Sequence, residues 1–528
     1  MRKQLLFTLS LGFATQLFAQ DKFAQKYAGL ITAEEAKKHL SILASDEYEG
    51  RETGKAGAEK AAQYIKKHFQ SLGLKGPVKG DYFQNLELTE KLITNRSIAV
   101  NDKSLESKDF TIANYVGTKS TFTNFVFVGY GIQSPKYDDL TGVDLAGKVV
   151  VVLSGEPMVN GVSLVSGTAT PSEWTAGRTP KKLTVLREKN PALIVTVSAG
   201  AQNAGGFQGR AGGAARPQLI MGKEKTQINS ITLSADAVNQ LMASAGRKVE
   251  DLQKGIQESG KSSPVTFTSS LTVDVQATYT PVLAREVLGF MEGSDPKLKH
   301  EVLVFSAHYD HIGLTTNNPN DKVNNGADDD GSGTTGILEI ATAFAKAKKE
   351  KHGPRRSILF LGNVGEEKGL LGSEWYTDHP VFPLENTVAD LNIDMIGRIG
   401  EEYIGKPDSA NYVYVIGSAM LSTTLREVSE KANATYLNMV ADYKYDDLND
   451  KNRYYYRSDH YNFAKHNVPI IFYFNGVHAD YHRPGDEVSK INFPLLAKRA
   501  QLAFYTGWDL ANRDKRPVVD VKTVIPPR

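Results

Sequence analysis

From about residue 285 onward, short apolar runs alternate with helix-length stretches, and this rhythm constrains the fold more than any other feature. The runs are Val302–Ser306, Ile358–Gly362, Leu391–Asp394, Val413–Gly417 and Pro469–Phe474. One stretch between them is amphipathic at helical spacing through Ile337, Ile340, Ala341, Phe344 and Ala345. Strands alternating with helices imply an α/β fold, with a largely parallel sheet flanked by helices on both faces. Ligand sites on such sheets lie beyond the carboxyl ends of the strands. The residues capable of chemistry fall at those ends.

Upstream the texture differs. Thr32-Ala-Glu-Glu35 offers a capping box, with Thr32 as N-cap and Glu35 three residues on. A second helix is expected over 58–72, where Ala58, Ala61, Ala62, Ile65, Phe69 and Leu72 share a face and Gly73 supplies the stop. Near residue 120 the chain turns β-rich. Phe125–Val128 and Gly147–Leu153 read as short strands with glycine turns, and the glycine-rich stretch 204–213 reads as a loop. The expected organisation is a leader over 1–19, a first part of the main domain over 20–118, a β-rich insert over 119–268, and the remainder over 269–528.

Composition removes several function classes. The 528 residues are 41% hydrophobic and 23% charged, the balance of an ordinary globular protein. Lys+Arg 62 against Asp+Glu 60 leaves +2, and without a long basic run there is no nucleic-acid footprint. The absence of cysteine excludes disulfides, thiolate ligands and a cysteine nucleophile. Arg2 and Lys3 precede the mostly apolar stretch Leu5–Ala19, which is too short and too polar to span a bilayer and reads as an export signal. The expected location is a bacterial periplasm or the extracellular medium, with no membrane span in the mature chain.

Each candidate site residue has an ordinary reading beside the chemical one. His308 and Asp310, in His-Tyr-Asp, give an imidazole with a carboxylate suited to fix its tautomer, although an isolated pair of this kind is usually a loop. Gly326-Ala-Asp-Asp-Asp-Gly-Ser-Gly333 places three mutually repelling carboxylates together. Asp330 suits a helix cap, while Asp328 is free to bridge two metals. Glu366 and Glu367 follow a strand, where one can bind metal and the other move a proton, or both can simply favour a helix start. Asp394 lies in an apolar strand and needs a partner there. His482, in Tyr481-His-Arg-Pro-Gly-Asp486, follows the last apolar run. Two histidines and three carboxylates at successive strand ends form an N/O donor set suited to zinc, with more ligands than one tetrahedral ion needs.

In this combination the chain resembles the exported di-zinc aminopeptidases, in the superfamily that also holds glutamate carboxypeptidases and transferrin-receptor-like proteins. The resemblance runs over nearly the whole mature chain and is most specific at 308–333, 362–372, 392–397 and 458–487. It implies two Zn²⁺ per chain, with His308 and Asp394 on one ion, Glu367 and His482 on the other, and Asp328 as bridge. Glu366 is then the general base, Asp310 orients His308, Tyr481 donates to the oxyanion, and Arg457 contacts substrate. The substrates implied are peptides, the β-rich insert is a protease-associated domain, and oligomeric state is left open. His311, His460 and His478 are expected in supporting or structural roles. The alternatives are a carboxypeptidase or dipeptidase, a one-zinc glutaminyl-cyclase-like enzyme, and a non-catalytic peptide-binding surface protein. A binuclear phosphoesterase lacks its GDxxD and GNH elements here, and no GxSxG elbow supports serine hydrolysis.

Overall fold

The computed structural model describes residues 20–525 except 116, 176–179, 199–216, 223–227 and 317. The leader expected over 1–19 and the whole glycine-rich stretch 204–213 lie outside the described residues. The chain divides into two compact units, one running to Glu87 and resuming at Val282, the other covering Leu88–Pro281. The interruption is therefore wider than 119–268, because the long strands Phe83–Val100 and Val265–Met291 carry the chain into and out of it.

In the first unit the central strands are β1 (Val302–His308), β2 (Ser357–Asn363), β3 (Thr387–Ile393), β4 (Tyr412–Ile416), β5 (Val440–Asp442) and β6 (Ile470–Phe474). Their order is β5-β4-β6-β3-β1-β2, followed by the end of strand Val265–Met291. β1 runs parallel to both β2 and β3, β3 to β6, and β4 to β5, whereas β4 against β6 is antiparallel. The sheet is thus mixed and largely parallel.

Alternate side chains leave opposite faces of these strands. Val302 and Val304 join a cluster with Tyr376 and Phe463 from short helices, while Phe305 stacks on Phe360 at 5.7 Å and packs beside Phe344. Phe344 lies on the helix Gly333–Lys349 and stacks on Trp508 of the helix Phe493–Asn512. Both faces are therefore covered, as continuous apolar strands require. The Thr32 cap forms as expected, its hydroxyl accepting from the Glu35 amide, and the second helix runs Ala56–Ser71.

Three helices meet over a buried polar cluster. His39 Nδ1 lies 2.7 Å from the Tyr64 hydroxyl and its Nε2 lies 3.5 Å from Glu339 Oε1. Burial, with Glu35 adding repulsion, lifts the Glu339 carboxyl from 4.5 to about 8. The folded state holds this proton more tightly than the unfolded chain, so stability declines as pH rises through that window. Glu339→Gln is expected to raise the melting temperature at pH 9 and leave it nearly unchanged at pH 4.5. An equal gain at both pH values would contradict this origin.

The second unit has its own parallel strands, Ser120–Phe127, Val149–Leu153, Leu193–Val197 and Ser230–Leu233, paired in that order. Phe125, Phe127, Val149 and Val151 face a cluster with Val238 and Ile256, while Val126, Val128, Val150 and Val152 pack with Leu186 on the other side. Those partners lie on helices Ala235–Leu241, Val249–Ser259 and Lys181–Glu188. The β-rich reading of this segment missed these helices, which are short at 7, 11 and 8 residues.

Candidate metal centre

β1, β2 and β3 are parallel neighbours, so their carboxyl ends bring His308, the Glu366–Glu367 turn and Asp394 to one edge. The loop after β6 adds His482, which adopts a left-handed backbone at φ +57°. Two overlapping donor groups result: His308, Asp329 and Asp394 form one, and His311, Asp329 and Glu367 the other. Asp329 Oδ1 lies 3.3 Å from His308 Nε2, while its Oδ2 lies 3.1 Å from His482 Nε2. His482 Nε2 is also 3.1 Å from Glu367 Oε2.

The shared carboxylate is therefore Asp329, not the expected Asp328. The three adjacent aspartates divide three tasks. Asp328 Oδ1 accepts from the Gly397 amide at 2.6 Å and the Ser332 hydroxyl at 3.0 Å, and its Oδ2 accepts from Asn475 Nδ2 at 3.0 Å. With His478 Nε2 a further 3.2 Å away, Asp328 is committed to joining loops. Asp330 Oδ1 accepts from the Gly333 amide at the helix start and from Met395 N, and its Oδ2 accepts from His308 N. Only the middle side chain is left pointing into the donor groups. Residue types alone do not distinguish three identical neighbours, because the choice depends on the backbone course through 327–332.

Buried atoms at the centre fit a bound cation. His308 Nε2 and Asp329 Oδ2 are buried, yet neither has an aligned hydrogen-bond partner among the described residues. Burying such groups unpaired is costly, and a metal satisfies both together. Nitrogen and carboxylate donors without sulfur suit zinc. Burial pushes Asp329 upward, but the imidazoles of His308, His482 and His311 outweigh it and hold it well below the carboxylate range. Burial opposes charge on His482, whereas Asp329 and Glu367 lift it to about 10.

The remaining expected residues surround these groups. Glu366 Oε2 lies 3.8 Å from His308 Nε2 and belongs to neither donor group. Burial, then Glu367 and Asp394, raise its carboxyl well above the usual range against the opposing pull of His308. Asp310 is in place but contacts His308 differently from expectation. Its main-chain carbonyl is 3.1 Å from His308 Nδ1, whereas its carboxylate is 3.7 Å away. That carboxylate accepts from Thr53 Oγ1 at 2.6 Å and from the Glu366 amide at 3.3 Å. Asp394 finds its partner in Ser458, whose hydroxyl donates at 2.6 Å. The Tyr481 ring stacks on His482 at 3.9 Å, and its hydroxyl accepts from Arg457 Nη2 at 3.1 Å. His460 lies elsewhere, with Nε2 2.8 Å from the Tyr455 carbonyl, and burial lowers it to about 3.

Sequence reasoning missed two anchors. Asp486 accepts from the amides of Asp328 and Asp329, tying the His482 loop to the aspartate loop. Arg51 is fully buried and donates to the carbonyls of Leu43, Tyr309, Asn325 and Gly326. An arginine in Glu49-Gly-Arg-Glu52 carries no signal of burial. Arg51→Met is expected to destabilise the protein by on the order of 3 kcal/mol, because four carbonyls lose this donor while relief of charge burial offsets only part. A chemical denaturation midpoint unchanged from wild type would contradict that.

Residues 286–506 match the model for peptidase family M28. Aminopeptidase YwaD of Bacillus subtilis (strain 168) is 25% identical over 287 residues, covering 52% of this chain and 54% of that protein. A probable zinc metalloprotease of Pyrenophora teres f. teres (strain 0-1) is 25% identical over 326 residues, covering 55% and 63%. The chain thus spans between half and two thirds of the length of these curated relatives. Among solved structures, an aminopeptidase from Aneurinibacillus sp. strain AM-1 superposes with a TM-score of 0.53 at 17% identity, covering 96% of this chain and 98% of that one, a likeness of fold. Among the described residues no helix is long and apolar enough to cross a membrane.

Proposed function

We propose that the protein is an exported zinc-dependent exopeptidase, an aminopeptidase, holding two ions per chain. The observation that carries this reading is Asp329, which turns one oxygen toward His308 and the other toward His482. His308 and Asp394 would hold one ion and Glu367 and His482 the other, with the Asp329 carboxylate shared between them. The match of residues 286–506 to a peptidase family and the names of similar proteins support the reaction class. The leader-like sequence of 1–19 supports export.

When bound, such a zinc pair lowers the pKa of a water and stabilises charge on a carbonyl oxygen. Glu366 takes the proton of the attacking water and returns it to the departing amine. Its raised affinity for protons suits that exchange. The Tyr481 phenol, kept protonated by burial and by the carboxylates of Asp329 and Glu367, donates to the carbonyl oxygen as charge builds. Arg457 holds the Tyr481 hydroxyl from the exposed side and meets the substrate there. Asp310 keeps the Glu366 turn and His308 in register through its two contacts.

The test is mass spectrometry of free-amine and N-acetylated peptides incubated with the mature protein. Stepwise loss from free N-termini alone, abolished by chelation and restored by zinc, is expected. Trimming of acetylated peptides at their C-termini would make it a carboxypeptidase, and no cleavage at all by zinc-loaded protein would overturn the peptidase reading.

A further inference from the structure

The second donor group contains a histidine that the two-ion assignment leaves without a task. His311 is fully buried, three residues beyond His308 in His-Tyr-Asp-His. Its Nδ1 lies 2.8 Å from Glu367 Oε1 and 3.8 Å from Asp329 Oδ2. His482 Nε2 approaches the same two carboxylates, but through Glu367 Oε2. The two imidazoles therefore take different oxygens of one carboxylate, with ring centres 5.9 Å apart.

The position of His311 is fixed from behind. Its amide donates to the Arg51 carbonyl at 3.1 Å, and Arg51 in turn holds the carbonyl of Gly326. A Cβ on Gly326 would stand 2.5 Å from His311 Cδ2, so glycine at 326 makes room for the ring. An imidazole nitrogen 2.8 Å from a carboxylate oxygen is a donor there, because two lone pairs would repel. With Oε1 engaged in that bond, Glu367 presents Oε2 alone beside His482.

We propose that His311 is a positioning residue that fixes how Glu367 faces the second ion, making that ligand one-toothed and setting the ion's affinity. The proposal rests on the two-ion reading above. Hydrogen bonds to a metal ligand from outside the coordination sphere commonly change affinity by about 10–100-fold. The first ion, held through His308 and Asp394, has no contact with His311 and is expected to be unaffected.

The test compares His311→Asn with His311→Gln in the full mature chain, by zinc titration of the metal-free proteins against a chromophoric chelator. Asn carries its amide nitrogen near the place of Nδ1, whereas Gln carries it nearer Nε2, so the pair differ in donor position more than in polarity. His311→Gln is expected to weaken the second ion by about 10–100-fold and His311→Asn by no more than about threefold, with the first ion unchanged in both. Cobalt-substituted His311→Gln is expected to show an altered visible absorption, and His311→Asn to restore it. Thermal melts of the metal-free forms show that both variants fold. Two ions bound with wild-type affinity in both variants, or equal loss of both ions in both, would overturn the proposal. A wild type that takes up only one ion would instead overturn the two-ion reading and the proposal with it.

Discussion

Glu366→Gln is expected to slow peptide hydrolysis by about 10²–10⁴-fold, the range for a positioned general base. Metal content should not change. Glu366 lies within the buried edge of the site yet outside both donor groups, 3.8 Å from His308 Nε2. Glutamine preserves its size and its amide contact to Asp310 but cannot accept the proton of water. Steady-state rates on a free-amine peptide, measured beside elemental analysis of the same sample, separate the two effects. A loss below about tenfold would place the base elsewhere, since general base catalysis is worth at least 10²-fold. A loss of zinc would make Glu366 a ligand.

The second large effect separates two neighbouring residues. Asp329→Asn is expected to lower affinity for both ions by more than about 100-fold, beyond the range seen when only a supporting hydrogen bond is removed. The amide leaves one oxygen where the carboxylate offered one to each side. Asp328→Asn should still bind two ions. Its cost appears in stability, about 1–3 kcal/mol, because its amide group faces the donors of Asn475 and His478. Zinc titration and denaturation of both variants decide between them. Retention of both ions by Asp329→Asn, with their loss in Asp328→Asn, would return the bridge to Asp328.

Much of the first unit was legible because its signals are local. Continuous apolar runs ending in polar residues specify strands covered on both faces, and the Thr32–Glu35 pattern specifies a helix start. His308, the Glu366–Glu367 pair and Asp394 follow directly on such runs and His482 lies in the loop after the last one, so chain position was enough to bring them to one edge. Asp329 was not legible, since its two neighbours are identical and the backbone alone aims one of the three. Arg51 and Asp486 act through main-chain carbonyls and amides on loops remote in sequence, which leave no trace in residue type. The helices of the second unit escaped for a different reason. Val249–Ser259 buries only Val249 and Ile256, too few to give a clear period.

Anomalous diffraction at the zinc edge from crystals of the zinc-loaded protein tests the two-ion centre most directly. Two peaks are expected, one beside His308 and Asp394 and one beside Glu367 and His482, with the Asp329 carboxylate between them. A single peak, or an Asp329 side chain turned away from both, would contradict it.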